Sequence, residues 1–249
     1  LMEPRQRRGP VLRARRAVPG RNSQRARAAV PNFFTLMNLL AGFFSLIQTA
    51  AGNLEAVAEP GRETPSFVAI ICHPHPLFGG TMDNKVVTSL SRLARDQGAV
   101  VVRFNFRGVG ESQGAYSDGI GETEDLLAIH SWLTHAWPDL PLWLAGFSFG
   151  SFVAARGAEI LKANGMPARE LLLVAPPVHH YPFDEIEQTG CPVTVVQGED
   201  DEVVPAEQVF RWVDATPLAP DLIRFPDCGH FFHGKLVELK QAAASHLPA

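Results

Sequence analysis

The stretch Leu142–Gly150, LWLAGFSFG, decides how the rest of the chain is read. Four apolar residues, Leu142 to Ala145, run without a break into Gly-Phe-Ser-Phe-Gly, and a helical window follows from Ser151 to Ala163. A short continuous apolar run suits a strand buried on both faces, as in a parallel sheet. A serine between glycines, at the junction of such a strand with a helix, is the G-x-S-x-G pattern in the setting it requires. The sharp turn forces Ser148 into a cramped backbone conformation. Residues two before and two after it must then lack a side chain, a need that Gly146 and Gly150 meet. Ser148 would stand at a helix N-terminus, where backbone N–H groups face a developing oxyanion. A plain glycine-bounded turn has the same five letters, and the flanking strand and helix separate the two readings.

Outward from this turn the pattern repeats. Apolar runs recur at Phe67–Cys72, Ala99–Phe104, Leu171–Ala175, Val193–Val196 and Leu222–Phe225. Helical windows lie between and after them at Lys85–Asp96, Glu122–His135, Ala206–Asp214 and Leu236–His246. Upstream, SLIQTA and NLEAVAEP around Ala51-Gly52-Asn53 read as a hairpin. Strand alternating with helix predicts an α/β fold with a doubly wound, mostly parallel sheet. Such sheets place their ligands at the C-terminal ends of the strands.

A serine is inert without a base, and the base needs an orienting acid. The run Val193–Val196 ends in QGEDDEVVP, and the next strand ends in PDCGHFFHG. The order is therefore serine, acid, histidine, each after its own strand, which is the order of one of the three known triad arrangements. Asp200, Asp201 and Glu202 compete for the acid, and His230 and His233 for the base. His230 is favoured because Gly229 permits a close approach. Histidines 130, 135 and 246 fall in helical windows and read as surface residues, and Ser112 and Ser151 sit in no comparable elbow.

On these residues the sequence resembles the α/β-hydrolase superfamily from about residue 45 to 247. It is most similar to small, lidless bacterial members that carry HPHPLFGGTMDNKVV, here His73–Val87. RFNFRGVGES, Arg103–Ser112, is similar to the D-x-R-G-x-G-x-S loop of many hydrolases, with Asn105 where aspartate is commoner. In the family's G-x-x-D-x-x-V-P the acid falls on Asp201, and its G-H falls on Gly229-His230. The resemblance implies an α/β-hydrolase fold and a carboxylesterase-like serine hydrolase acting on ester or thioester bonds through an acyl-enzyme, with Ser148, Asp201 and His230 as triad and no cofactor. One oxyanion donor is Phe149, directly after the serine. The second comes from the loop after the third strand, where prolines donate nothing and the N–H groups of His75, Leu77 and Phe78 remain. Family position selects His75.

Two other classes compete. His73 and His75, with His179, His180 and His230, could form a metal cluster, which would make a metal-dependent hydrolase and leave the elbow idle. A noncatalytic binding module on the same fold would ordinarily lack a triad member. Between Ala175-Pro176-Pro177-Val178 and Cys191 lie only twelve residues, His179 to Gly190, too few for a cap domain. The site is thus expected to be an open cleft rimmed by Phe78, Phe147, Phe149, His179, Tyr181, Phe231 and Phe232. Phe78, His179, Tyr181 and Phe231 are the expected substrate contacts, and apolar acyl esters the expected small-molecule substrates.

Composition bounds the remainder. The chain has 249 residues, 46% apolar and 19% charged, which excludes a disordered or polytopic membrane protein. Cys72, Cys191 and Cys228 include no C-x-x-C pair, so neither a zinc site nor a disulfide framework is implied, and a reducing, cytoplasmic setting is the simplest. Residues 1–31 hold nine arginines against a single acid, Glu3, on a chain of net charge −4. After this basic arm, Phe33–Ile47 is apolar but short for a bilayer span, and residues 31–43 resemble the first membrane segment of CDP-alcohol phosphatidyltransferases. That family's aspartate-rich motif is absent, so no activity is carried over. Residues 1–44 are expected to lie outside a hydrolase domain spanning 45–249. Residues 1–47 are expected to touch anionic membranes weakly, through an interfacial helix, making the protein at most peripheral. Nucleic acid is not an expected partner.

Overall fold

Apolar runs that alternate their side chains between two covered faces must be buried twice over, and Phe67–Cys72 does this residue by residue. Val68, Ile70 and Cys72 join one core while Phe67, Ala69 and Ile71 join the other. The computed structural model describes residues 44–49 and 52–248. Its strands are β1 (Phe44–Thr49), β2 (Gly52–Pro60), β3 (Phe67–Cys72), β4 (Ala99–Phe104), β5 (Leu142–Phe147), β6 (Glu170–Val174), β7 (Val193–Gly198) and β8 (Asp221–Phe225). Its helices are α1 (Lys85–Asp96), α2 (Ile120–Ala136), α3 (Phe149–Ala163), α4 (Ala206–Ala215) and α5 (Leu236–Ala244).

The strands form one sheet in the order β1-β2-β4-β3-β5-β6-β7-β8. From β4 through β8 the pairs are parallel, and β1 and β2 are antiparallel. Helices α1 and α5 cover one face and α2, α3 and α4 the other. Strand order reverses between β3 and β5, which makes the crevice at their C-terminal ends the switch point where such sheets bind ligands. The expected doubly wound sheet is therefore present.

Two expectations change. Residues 44–47 are strand, paired with β2 from Phe44↔Val57 to Ile47↔Leu54 as the hairpin reading of SLIQTA and NLEAVAEP expects, and Ile47 is buried in the core. The apolar segment therefore does not run on as one interfacial helix to Ile47. The basic arm and residues 31–43 lie outside the described residues. Among the described residues no helix is long and apolar enough to cross a membrane. Secondly, His130 is buried rather than exposed. It falls on the stripe Glu122, Leu126, Ile129, His130, Leu133 that α2 turns inward, and burial pushes its pKa down to about 4. Between β6 and β7 there is only a short turn, Phe183–Glu185, and no cap.

Candidate active site

The turn from β5 into α3 has the strain expected of it. Ser148 sits at φ 53°, ψ −123°, a conformation side chains rarely adopt. The glycines around it are needed for close approach: a Cβ on Gly146 would lie 2.1 Å from the Gly150 carbonyl oxygen, and one on Gly150 would lie 2.4 Å from that of Cys72. The Ser148 N–H donates to the Val174 carbonyl at 2.8 Å, tying the elbow to β6.

Three loops converge on this serine. His230, after β8, has Nε2 3.1 Å from Ser148 Oγ, and its Nδ1 is 2.8 Å from Asp201 Oδ2 at the end of β7. A carboxylate accepts at Nδ1, so Nδ1 carries the proton and Nε2 is left to accept from the serine hydroxyl. Asp201 also accepts from the amides of Val203 and Val204 and from Gln197 Nε2. Burial raises the Asp201 pKa, but the His230 hydrogen bond and charge, with the two amides, outweigh it and hold the carboxyl below its ordinary value. Asp200 is exposed and makes no hydrogen bond or ion pair with His230. Glu202 is exposed as well, but its Oε2 accepts the His230 backbone N–H at 3.1 Å. Gly229 matters for that contact and not for the serine's approach: a Cβ there would lie 2.6 Å from Glu202 Oε2. His233 is exposed beyond the turn.

The loop after β3 separates its three possible oxyanion donors. Leu77 N–H is taken by His75 Nδ1 and Phe78 N–H by the His75 carbonyl. Among the described residues, the N–H groups of His75 and of Phe149 enter no hydrogen bond. His73 is fully engaged: Nδ1 meets the Pro74 carbonyl at 2.6 Å and Nε2 accepts from Phe106 N–H at 3.0 Å. Burial pushes it down to about 4. Neither ring nitrogen is free to bind a metal, and among the described residues no group of three or more metal-ligating side chains is assembled.

A cleft of about 700 Å³ opens over Ser148 and His230. Phe78, His179, Tyr181 and Phe231 line it, as does Phe149. Phe147 and Phe232 do not: both are buried in the core, Phe232 against Phe225.

A model of the α/β-hydrolase domain family matches residues 70–236. The chain belongs to the α/β-hydrolase family. A solved α/β serine hydrolase homologue from Coxiella burnetii is 44% identical to it, covering 83% of this chain and 97% of that one at a TM-score of 0.76. A serine hydrolase without a lid from Xanthomonas campestris is 37% identical, over 84% of this chain and 96% of that one, again at 0.76. Among curated proteins, a lysophosphatidylserine lipase of Danio rerio is 26% identical over 53% of this chain, which spans only 44% of that relative.

Among the cleft residues that the sequence pattern does not single out are Tyr116 and Asp118. Tyr116 Oη lies 3.2 Å from Tyr181 Oη, and the loop is held by buried Glu122, which accepts from the Ser117 and Gly119 amides. The available signal was position: this loop follows β4, and loops after parallel strands end on the site face.

Proposed function

We propose that this α/β-hydrolase is a serine hydrolase that cleaves carboxylic esters, or thioesters, through an acyl-enzyme. The observation that carries this reading is the unbroken chain Ser148 Oγ, His230 Nε2, His230 Nδ1, Asp201 Oδ2, with separations of 3.1 and 2.8 Å. In this reading Ser148 Oγ attacks the carbonyl carbon as its proton passes to His230 Nε2. The tetrahedral oxyanion is met by the N–H groups of Phe149 and His75. Collapse expels the alcohol, which takes the proton from His230. Water then repeats the sequence, and carboxylate and free Ser148 result. No metal or cofactor takes part.

The occupied ring nitrogens of His73 favour this over a metal-dependent hydrolase, and the assembled triad geometry favours it over a noncatalytic module. The aromatic walls of Phe78, Phe149, Tyr181 and Phe231 support an apolar acyl group. The relative's lipase name is consistent with the reaction class and fixes no substrate here. The test is a fluorophosphonate probe on the wild type and on Ser148→Ala. Labelling of the wild type alone is expected. Labelling that survives in Ser148→Ala refutes the assignment.

A further inference from the structure

Beside the cleft lies a second groove of about 410 Å³, lined by Gly79, Thr81, Asp83, Asn84, Lys85, Phe231 and His233. The two share Gly79, Asn84 and Phe231 and no other lining residue. Phe231 directly follows His230, packs edge-on against its ring at 5.1 Å and is 42% exposed, so its ring is the partition between them.

Chemistry says which half of a substrate reaches this groove, given the serine reading on which the inference rests. The leaving oxygen must take its proton from His230, so the alcohol half lies on the His230 side. That side continues past Phe231. The aromatic part of the cleft, with Tyr116 and Tyr181, does not touch the groove.

The two spaces also differ in character. Apolar and aromatic side chains dominate the cleft, whereas the groove's surface is about evenly polar and apolar, with Thr81, Asp83, Asn84 and Lys85 on its wall. Asp83 is paired with Arg103, whose guanidinium also meets Glu59. Among the described residues Lys85 has no ion-pair partner, and it is the groove's unpaired ammonium. The cleft has the opposite charge: Asp118 lines the cleft but not the groove, and it too has no ion pair among the described residues. A substrate lying across both spaces meets a carboxylate in the cleft and an ammonium past His230.

We propose that the groove is a leaving-group subsite that takes an alcohol bearing an anionic group, phosphate or carboxylate, with Lys85 as its recognition residue. The substrates are then amphiphilic esters with an apolar acyl half and an acidic alcohol half.

The experiment compares kcat/KM for butyrate esters of glycerol, glycerol 3-phosphate and glyceric acid, using the full chain at low salt, for wild type and Lys85→Glu. A solvent-exposed ion pair supports a preference of about fivefold for the anionic esters in the wild type. That preference is expected to fade with added salt and to reverse in Lys85→Glu. A preference for one anionic ester alone assigns the subsite to that group. A wild type that prefers the glycerol ester, or a ratio unmoved in Lys85→Glu, overturns the subsite. Ser148→Ala on p-nitrophenyl butyrate separates the two readings. Retained hydrolysis there overturns the serine reading itself, while a dead Ser148→Ala with an unmoved ratio overturns the subsite alone.

Discussion

Asp201→Asn replaces one carboxylate oxygen by an NH₂ in a site that supplies four donors. Val203 and Val204 amides hold Oδ1 at 2.9 and 2.6 Å, and Gln197 Nε2 and His230 Nδ1 hold Oδ2 at 3.1 and 2.8 Å. An asparagine can satisfy one pair only. Kept toward the backbone amides, its oxygen leaves NH₂ facing His230 Nδ1, which must lose its proton and accept. The proton then sits on Nε2, pointing at Ser148 Oγ, and the imidazole is no longer a base for it. Turned over, the NH₂ meets two backbone N–H groups, leaving buried donors unpaired at about 1–3 kcal/mol each. The first arrangement wins, and the wrong tautomer is worth about 10⁴ in kcat by analogy with serine-protease triads, or about 5.5 kcal/mol of transition-state stabilisation. Pre-steady-state acylation by p-nitrophenyl acetate measures it, with circular dichroism confirming the fold. Asp200→Asn, at a side chain with no hydrogen bond to His230, is the control and is expected to stay within about threefold of wild type. A loss under tenfold in Asp201→Asn, or equal losses in both variants, refutes the assignment of the acid.

Other consequences of the geometry can be measured directly. Ser148→Gly removes a strained backbone at φ 53° and is expected to raise stability by about 1 kcal/mol in urea unfolding while abolishing hydrolysis. In contrast, Gly150→Ala puts a Cβ 2.4 Å from the Cys72 carbonyl oxygen and is expected to lose about 3 kcal/mol or more in the same assay. Glu202→Ala frees the His230 N–H and is expected to cut kcat about tenfold with KM little changed. Glu202→Gln keeps an acceptor oxygen and is expected to recover most of it, and equal losses in the two would remove the hydrogen bond as the cause. The buried neutral His73 is pushed down to about 4 from an ordinary value of 6.5, so the unfolded chain binds the extra proton between those values. The stability it contributes is present above about pH 6.5 and is lost as pH falls toward 4, on the order of 3 kcal/mol. Buried His130 acts in the same direction. Urea midpoints at pH 7, 5.5 and 4.5 test this, and His130→Leu is expected to flatten the slope.

The sheet was legible because β3 to β8 are mostly short apolar runs with turn residues behind them, and a strand buried on both faces has no other appearance. The elbow was legible for a steric reason, since only glycine fits at positions 146 and 150. Other features depend on tertiary direction. Phe231 and Phe232 are adjacent and identical, yet one faces the cleft and the other packs against Phe225. No periodicity within a four-residue turn decides that. Glu202 read as a rival acid because its part is to hold a backbone amide 28 positions away, a contact set by loop packing. The burial of His130 was legible in the pattern, for it sits one residue after Ile129 on a stripe spaced three and four apart. Residues 45–47 fit two readings, the first strand of the hairpin and the end of the apolar helix, because short apolar runs do not distinguish helix from strand.

The cleft wall is assembled from pieces of separate loops, each fixed to the end of a different strand: Pro74–Gly80 after β3, Tyr116 and Asp118 after β4, Pro177–Tyr181 after β6, Val203 and Val204 after β7, and Phe231 after β8. No single inserted domain governs the opening. Each loop can therefore be lengthened, shortened or exchanged while the other loops and the sheet hold Ser148, Asp201 and His230 in register. On the proposed serine reading, such a scaffold changes substrates one wall at a time, so diversification is expected as local loop turnover around Ser148, Asp201 and His230, with neighbouring specificities only a few substitutions apart.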